Sequence, residues 1–196
     1  EPVQKDNSEV FQVVFSGSLI MRKGLDIAIA AVQRVISASV RVRLDIFGPG
    51  EISKFLKADL PGIRYKGVYA PGDAQSIISG YDLLLVPSRH EGWGLVVNEA
   101  LMQGVPVVVS DRVGAKTLLE GSGAGMIFRN EDVSQLAGLM ADLSEHPERI
   151  AVMKSQCAVV RDLITSQIGA EYLAQVLRYH FDQVGEKPNP VWALRE

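Results

Sequence analysis

The chain has 196 residues, 47% of them hydrophobic, and a formal net charge of −3. That is one ordinary domain or slightly more, with apolar content for a sizeable core, and the small acid excess argues against a nucleic-acid surface. A single cysteine, Cys157, excludes an internal disulfide and fits a reducing compartment, no apolar run approaches the roughly 20 residues of a membrane span, and no signal-peptide pattern is visible.

Residues 1–9 are polar and read as a linker. Val10 to Phe15 predicts the first strand. Leu25, Ala28, Ile29, Val32 and Ile36 recur at helical spacing and predict one apolar helix stripe. Arg41 to Phe47 alternates and then turns apolar, a strand feeding the Gly48-Pro49-Gly50 turn. Ile63 to Lys66 predicts a short strand, and Ile77–Ile78 a helix face. Leu83, Leu84, Leu85 and Val86 form a continuous apolar run ending at Pro87. Val105, Val107, Val108 and Val109 form another, with Pro106 at its start. Runs without polar alternation are typical of strands buried on both faces of a parallel sheet. Leu95 to Met102 between them is long enough for about two helical turns, and Gly104 supplies the stop. Met126 to Phe128 predicts the last strand. Helices dominate from Val133, with a break at Pro147, and Cys157 falls in one of them as a packing residue. The pattern is that of an α/β protein with a doubly wound parallel sheet. Such folds bind ligands at the carboxyl ends of their strands.

The segment Ser88 to Gly94 lies at that edge. Gly92 and Gly94 permit close backbone approach. If the helix starts near Gly94, the amides of Trp93, Gly94 and Leu95 point outward at the positive end of the helix dipole, a place for a phosphate. Two carboxylates flank the loop, Glu91 before the helix and Glu99 more than one turn inside it. On one continuous helix they would stand roughly 80° apart; a break at Gly92–Gly94 lets both face one cleft. Carboxylates accept hydrogen bonds and suit sugar and ribose hydroxyls. Taken singly, Glu99 would merely complement the dipole, and Glu91 would be a solvated loop acid.

The stretch from Pro87 onward resembles the signature of the retaining glycosyltransferases of family 4, the group 1 glycosyltransferases. Their pattern, P-S-x-x-E-G-x-G-L-x-x-x-E-A-x-x-x-G-x-P-V, is met by Pro87, Ser88, Glu91, Gly92, Gly94, Leu95, Glu99, Ala100, Gly104, Pro106 and Val107. Phe15-Ser16-Gly17-Ser18-Leu19 with Lys23-Gly24 is similar to the family's G-R-L…K-G block, and Ile46 to Glu51 is similar to its I-x-G-x-G loop. The resemblance implies a Rossmann-like domain that is the C-terminal, donor-binding half of a GT-B fold. It implies that Glu99 binds the ribose hydroxyls and that Glu91 contacts the donor sugar and acts at the reacting centre. The backbone of Gly17, Gly92, Trp93, Gly94 and Leu95, with Lys23, would hold the sugar and diphosphate. Arg normally follows the first glycine in this family, and here Ser18 stands there. Arg22 would compensate only if it points inward; as the neighbour of Lys23 it reads as a solvated charge. Gly48, Val68 near the base, and His90 as an acid or base complete the candidates.

No metal cluster or other cofactor is expected, and no nucleic acid. The substrate would be a nucleotide-diphosphate sugar. The implied domains are the linker 1–9, the nucleotide-sugar-binding domain 10–164, and a helix and tail over 165–196 holding Pro188, Pro190 and Trp192. Leu173, Val176, Leu177, His180 and Phe181 would form an apolar face toward an absent N-terminal, acceptor-binding domain; the alternative is that this face packs on the chain's own sheet. The chain alone would then be inactive, and the full enzyme would work in the cytoplasm or at the inner membrane face. Two other readings stand beside this one: a stand-alone nucleotide-sugar-binding or regulatory module, and another GT-B enzyme such as a nucleotide-sugar epimerase.

Overall fold

A computed structural model describes residues 10–38, 40–70 and 72–190, so the linker 1–9 and Trp192 lie outside the described residues. Six strands, β1 (Phe11–Ser16), β2 (Val42–Phe47), β3 (Ile63–Gly67), β4 (Leu83–Val86), β5 (Val107–Ser110) and β6 (Gly125–Phe128), form one parallel sheet in the order β3-β2-β1-β4-β5-β6. The helices are α1 (Leu25–Ser37), α2 (Ala74–Ile78), α3 (Leu95–Met102), α4 (Val133–Glu145), α5 (Pro147–Leu163) and α6 (Ser166–Leu177). This is the expected doubly wound, Rossmann-like sheet.

The two apolar faces of the strands explain the unbroken hydrophobic runs. Val13, Phe15, Leu44, Ile46, Leu83, Leu85 and Val108 pack on one side with α1 and α4. Val14, Phe47, Leu84, Val86, Val107 and Val109 pack on the other with α3 and α5. Adjacent residues of a strand point to opposite faces, so a strand covered on both sides has no place for a polar alternation.

Boundaries shift where local chemistry demands it. β5 begins at Val107, not Val105, because Pro106 has no amide for the ladder, and the Val105 amide instead closes α3 on the Ala100 carbonyl at 2.9 Å. β1 runs one residue past Phe15, since Ser16 still pairs with Phe47. In α1 the fully buried stripe ends on Val35, with Ile36 at its margin. Pro147 opens α5 at the first helical position, where a missing amide costs nothing. Cys157 is fully buried in α5, facing the Ala124 carbonyl.

The C-terminal helix differs from the rest. No residue of α6 is buried, and Leu173, Leu177 and Phe181 are 56%, 46% and 80% exposed. His180 is also exposed, in the turn of π-helix that continues α6 over 178–182. Val176 is half-buried, so the expected apolar face is open to solvent at Leu173, Leu177, His180 and Phe181 and partly covered at Val176. Among the described residues, no helix is long and apolar enough to cross a membrane.

Candidate functional site

The order of strands creates the site. From β1 the chain moves outward through β2 and β3, then returns to β4 on the other side of β1. The loops leaving β1 and β4 thus diverge from adjacent strands, which opens a crevice at their carboxyl ends. The loop after β1 spans 17–24 and the loop after β4 spans 87–94, the two segments that carry the candidate residues.

These loops touch. Gly24, at φ +71°, is so close to the second loop that a Cβ on it would stand 1.9 Å from the Pro87 carbonyl oxygen. The Arg89 amide donates to the Arg22 carbonyl at 2.8 Å. Across this junction the Lys23 ammonium donates to Glu91 Oε2. Arg22 Nη1 donates to the His90 carbonyl at 2.7 Å and lies 3.7 Å from the same Glu91 oxygen. Arg22 therefore points toward Glu91, which corrects its expected direction, while its side chain stays 47% exposed and so solvated as expected. A short 3-10 turn over Met21–Lys23, closed by Gly24, replaces the helix start that would have splayed the two side chains apart. One carboxylate faced by two cations leaves a local excess of positive charge.

Glu91 itself is extended. It forms an isolated parallel bridge with Val113, its amide donating to the Arg112 carbonyl and its carbonyl accepting from the Gly114 amide. Gly92 and Trp93 follow, and Gly94 at φ +99° is the N-cap of α3 with no side-chain cap. The break between Glu91 and the helix is thus real. In the first turn of α3 the Val97 amide donates to the Gly94 carbonyl at 2.9 Å, and the amides of Leu95 and Val96 have no intrahelical acceptor. Trp93 lies over that turn, its Nε1 donating to Asn98 Oδ1 at 2.8 Å, while its carbonyl accepts from Ala115. Leu95 is 66% exposed at the helix start. Glu99 is half-buried and has no hydrogen-bond or ion-pair partner among the described residues.

The remaining candidates lie around the rim. Gly17 sits under the Lys23 side chain, whose Cδ is 3.9 Å from where a Cβ would be. A Cβ on Gly48 would stand 1.9 Å from the Gly17 carbonyl oxygen, so the turn after β2 is pressed against the turn after β1. Val68 is exposed just past β3, beside Gly67, whose carbonyl accepts from the Gly48 amide. Ser18 is half-buried, with no side-chain partner among the described residues. His90 is exposed, and only its carbonyl is engaged. The sheet edge thus brings Gly17, Lys23, Arg22 and Glu91 together, with Glu99 one helix turn further on.

Sequence reasoning missed two groups. Arg89 donates to both oxygens of Asp26 at 2.8 and 2.7 Å, to the Met21 carbonyl at 2.6 Å and to Glu131 at 2.7 Å. Burial pushes the Asp26 carboxyl up, but the paired guanidinium outweighs it and holds the group below the usual carboxylate range. The hydrogen bond to Asp26 raises the Arg89 guanidinium further above its ordinary value. No spacing rule joins residues 26, 89 and 131; Asp26 alone reads as a first-turn acid of α1. The second group is Tyr81, just before β4, which donates to the buried Asp45 carboxylate of β2 at 2.9 Å. Burial, then that neighbouring charge, drives the phenol well above its ordinary value.

Comparison with known proteins gives a consistent picture. The family described as "Glycosyl transferases group 1" matches residues 10–146, more than half of the chain. A glycogen synthase of Thermus thermophilus is 32% identical over 120 residues, which are 59% of this chain and 28% of that protein. A GDP-mannose-dependent monoacylated alpha-(1-6)-phosphatidylinositol monomannoside mannosyltransferase of Corynebacterium glutamicum is 28% identical over 152 residues, 72% of this chain and 40% of that one. The chain therefore spans well under half the length of these curated relatives. Among solved structures, a mutant of S. aureus TarM in complex with fondaparinux, alpha-GlcNAc-glycerol and UDP superposes with a TM-score of 0.74 at 20% identity, over 85% of this chain and 35% of that one.

Proposed function

The chain belongs to the group 1 glycosyl transferases, and from that premise we propose that it is the C-terminal, donor-binding half of a retaining family 4 enzyme. The whole enzyme would transfer a sugar from a nucleotide-diphosphate sugar to an acceptor. The observation that carries this reading is the meeting of Lys23 and Glu91 across the β1/β4 crevice, with the Glu99 carboxylate of α3 left unpartnered among the described residues.

In this reading a diphosphate enters at the first turn of α3, where backbone amides and the helix dipole favour an anion. Lys23 transfers its ammonium from Glu91 to the phosphate oxygens, since a mobile point charge on a flexible stem can serve either anion. Arg22, also aimed at Glu91, takes the place of the arginine that Ser18 replaces. The freed Glu91 carboxylate accepts hydrogen bonds from the donor sugar and stabilises positive charge developing at its anomeric carbon. Glu99 accepts from the ribose hydroxyls. Gly17 and the backbone of Gly92, Trp93, Gly94 and Leu95 line the diphosphate and sugar; Gly48 and Val68 border the base. His90 is given no proton-transfer role, and neither a metal nor another cofactor is needed.

Residues 10–164 would be the donor domain. Residues 165–196 would reach an N-terminal acceptor domain, with Leu173, Leu177 and Phe181 covered there. The relatives' greater length supports a missing half. Without it the chain would bind donor but not turn it over. The full enzyme would act in the cytoplasm, at the inner face of the membrane where its acceptor is lipid-linked.

Calorimetric titration with UDP, GDP, ADP and their sugars tests the reading. One base series should bind. Glu99→Ala should weaken both nucleotide and nucleotide sugar by roughly 10- to 150-fold, the scale of charged hydrogen bonds. Glu91→Ala should weaken nucleotide sugars more than bare nucleotides. Unchanged affinity in folded Glu99→Ala would sink the ribose assignment, and binding of no nucleotide by the unaltered chain would overturn the donor-domain reading.

A further inference from the structure

One side chain ties together three of the loops at the carboxyl edge of the sheet. Arg89 belongs to the loop after β4. Its Nη1 donates to the Met21 carbonyl in the loop after β1, Nη1 and Nη2 grip Asp26 at the start of α1, and Nε donates to Glu131 in the loop after β6. Four hydrogen bonds from one planar group fix its orientation, and that orientation fixes three backbones relative to one another.

The places that Arg89 grips are those that set the ion pair. Met21 opens the 3-10 turn that ends on Lys23. Arg89 is two residues before Glu91, and its amide donates to the Arg22 carbonyl. Glu131 has φ +64°, one of two positive values among the described non-glycine residues. A non-glycine residue in the left-handed region needs surrounding contacts that hold it there, and Arg89 is such a contact. The Arg89 side chain is 27% exposed, and its two bonds to Asp26 are partly shielded from water, while those to Glu131 and Met21 lie open.

We propose that Arg89 is a positioning residue that holds Lys23 and Glu91 in register across the crevice, so that a nucleotide-diphosphate sugar meets both already aligned. The link to donor binding rests on the donor-domain reading above; the link to the ion pair does not.

Arg89→Lys is the informative variant. It keeps the positive charge, but a single ammonium cannot serve Asp26, Glu131 and the Met21 carbonyl with the geometry of the guanidinium. The first measurement needs no ligand: a double-mutant cycle of Lys23→Met and Glu91→Gln on unfolding, run with Arg89 and again with Lys at that position. Contacting pairs couple by at least about twofold in the unfolding constant. That coupling should be present with Arg89 and vanish in Arg89→Lys. The second is titration with UDP-glucose and GDP-mannose, where Arg89→Lys should lose about tenfold in affinity, short of the roughly 100-fold that a 1 Å misplacement costs in catalysis. A control, Asp142→Ala, removes the Asp142–Arg149 pair at the α4–α5 turn on the opposite edge of the sheet, and should lower stability with affinity unchanged. Should Arg89→Lys not fold, Asp26→Asn weakens the same grip and takes its place in both measurements. Equal coupling in the two backgrounds would overturn the proposal. So would lost coupling with undiminished affinity. If the unaltered chain binds neither sugar nucleotide, the donor reading falls and the cycle still decides whether Arg89 sets the pair.

Discussion

Replacing Gly24 by alanine tests the contact on which the crevice is built. Two costs add at this position. Its φ of +71° is left-handed, which costs an L-residue roughly 1–2 kcal/mol. The new Cβ would stand 1.9 Å from the Pro87 carbonyl oxygen and 2.7 Å from its carbon, so two backbones must part; overpacking of this kind costs about 1–3 kcal/mol. Alanine stiffens the unfolded chain and returns about 0.4–1 kcal/mol. The net loss is about 3 kcal/mol. Two companions separate the causes. Gly104, at φ +72° with nothing within 4 Å of its Cβ position, carries the conformational cost alone, about 1 kcal/mol after the offset. Gly114 has no positive φ, but its Cβ would stand 2.0 Å from the Gly92 carbonyl oxygen, so it carries the clash alone. With about 2–4 °C per kcal/mol for a chain of this size, Gly24→Ala should lower Tm by about 6–12 °C and Gly104→Ala by about 2–4 °C. Thermal and urea unfolding of the three variants provide the readout. A Gly24→Ala loss no larger than that of Gly104→Ala would refute the close approach of the two loops.

Two further outcomes follow from the ionisable groups. Asp26 titrates below its ordinary value: burial raises it, but Arg89 outweighs burial. A carboxyl with a depressed folded pKa stabilises above its unfolded value, and that contribution fades as pH falls through the folded one. The stability gap between the native chain and Asp26→Asn should therefore be full at pH 7 and shrink below about pH 4; a gap that stays constant to low pH contradicts the assignment. Burial also pushes the Cys157 thiol up to about 11. Native chain at pH 8 should resist a thiol reagent that labels the urea-unfolded chain rapidly, and equal labelling rates would contradict its place in the core.

The central sheet was largely legible from residue order. Leu83–Val86 and Leu95–Met102 have the same ends in sequence and structure, because Pro87 and Gly104 punctuate them chemically. Glu91, Glu99, Lys23 and the glycines were identifiable as candidates because they sit in a long local pattern. Arg22 is exposed as expected, but the direction of its side chain was not legible, since it depends on whether the chain enters α1 through a regular helix or a 3-10 turn. That choice is made by Gly24 pressed against Pro87, residues 63 positions apart.

Local rules therefore account for the strands, the helices and the identity of the acids and cations at the sheet edge. They act through backbone propensity and period, which need only neighbours in the chain. The pairing of Lys23 with Glu91 arises instead from strand order, because only insertion of β4 beside β1 brings those two loops together. The Arg89 grip on Asp26 and Glu131, the Tyr81–Asp45 bond and the uncovered face of α6 are of the same kind. Each depends on which surfaces meet after the sheet closes, and segments tens of residues apart carry no mark of that meeting until packing brings them into contact.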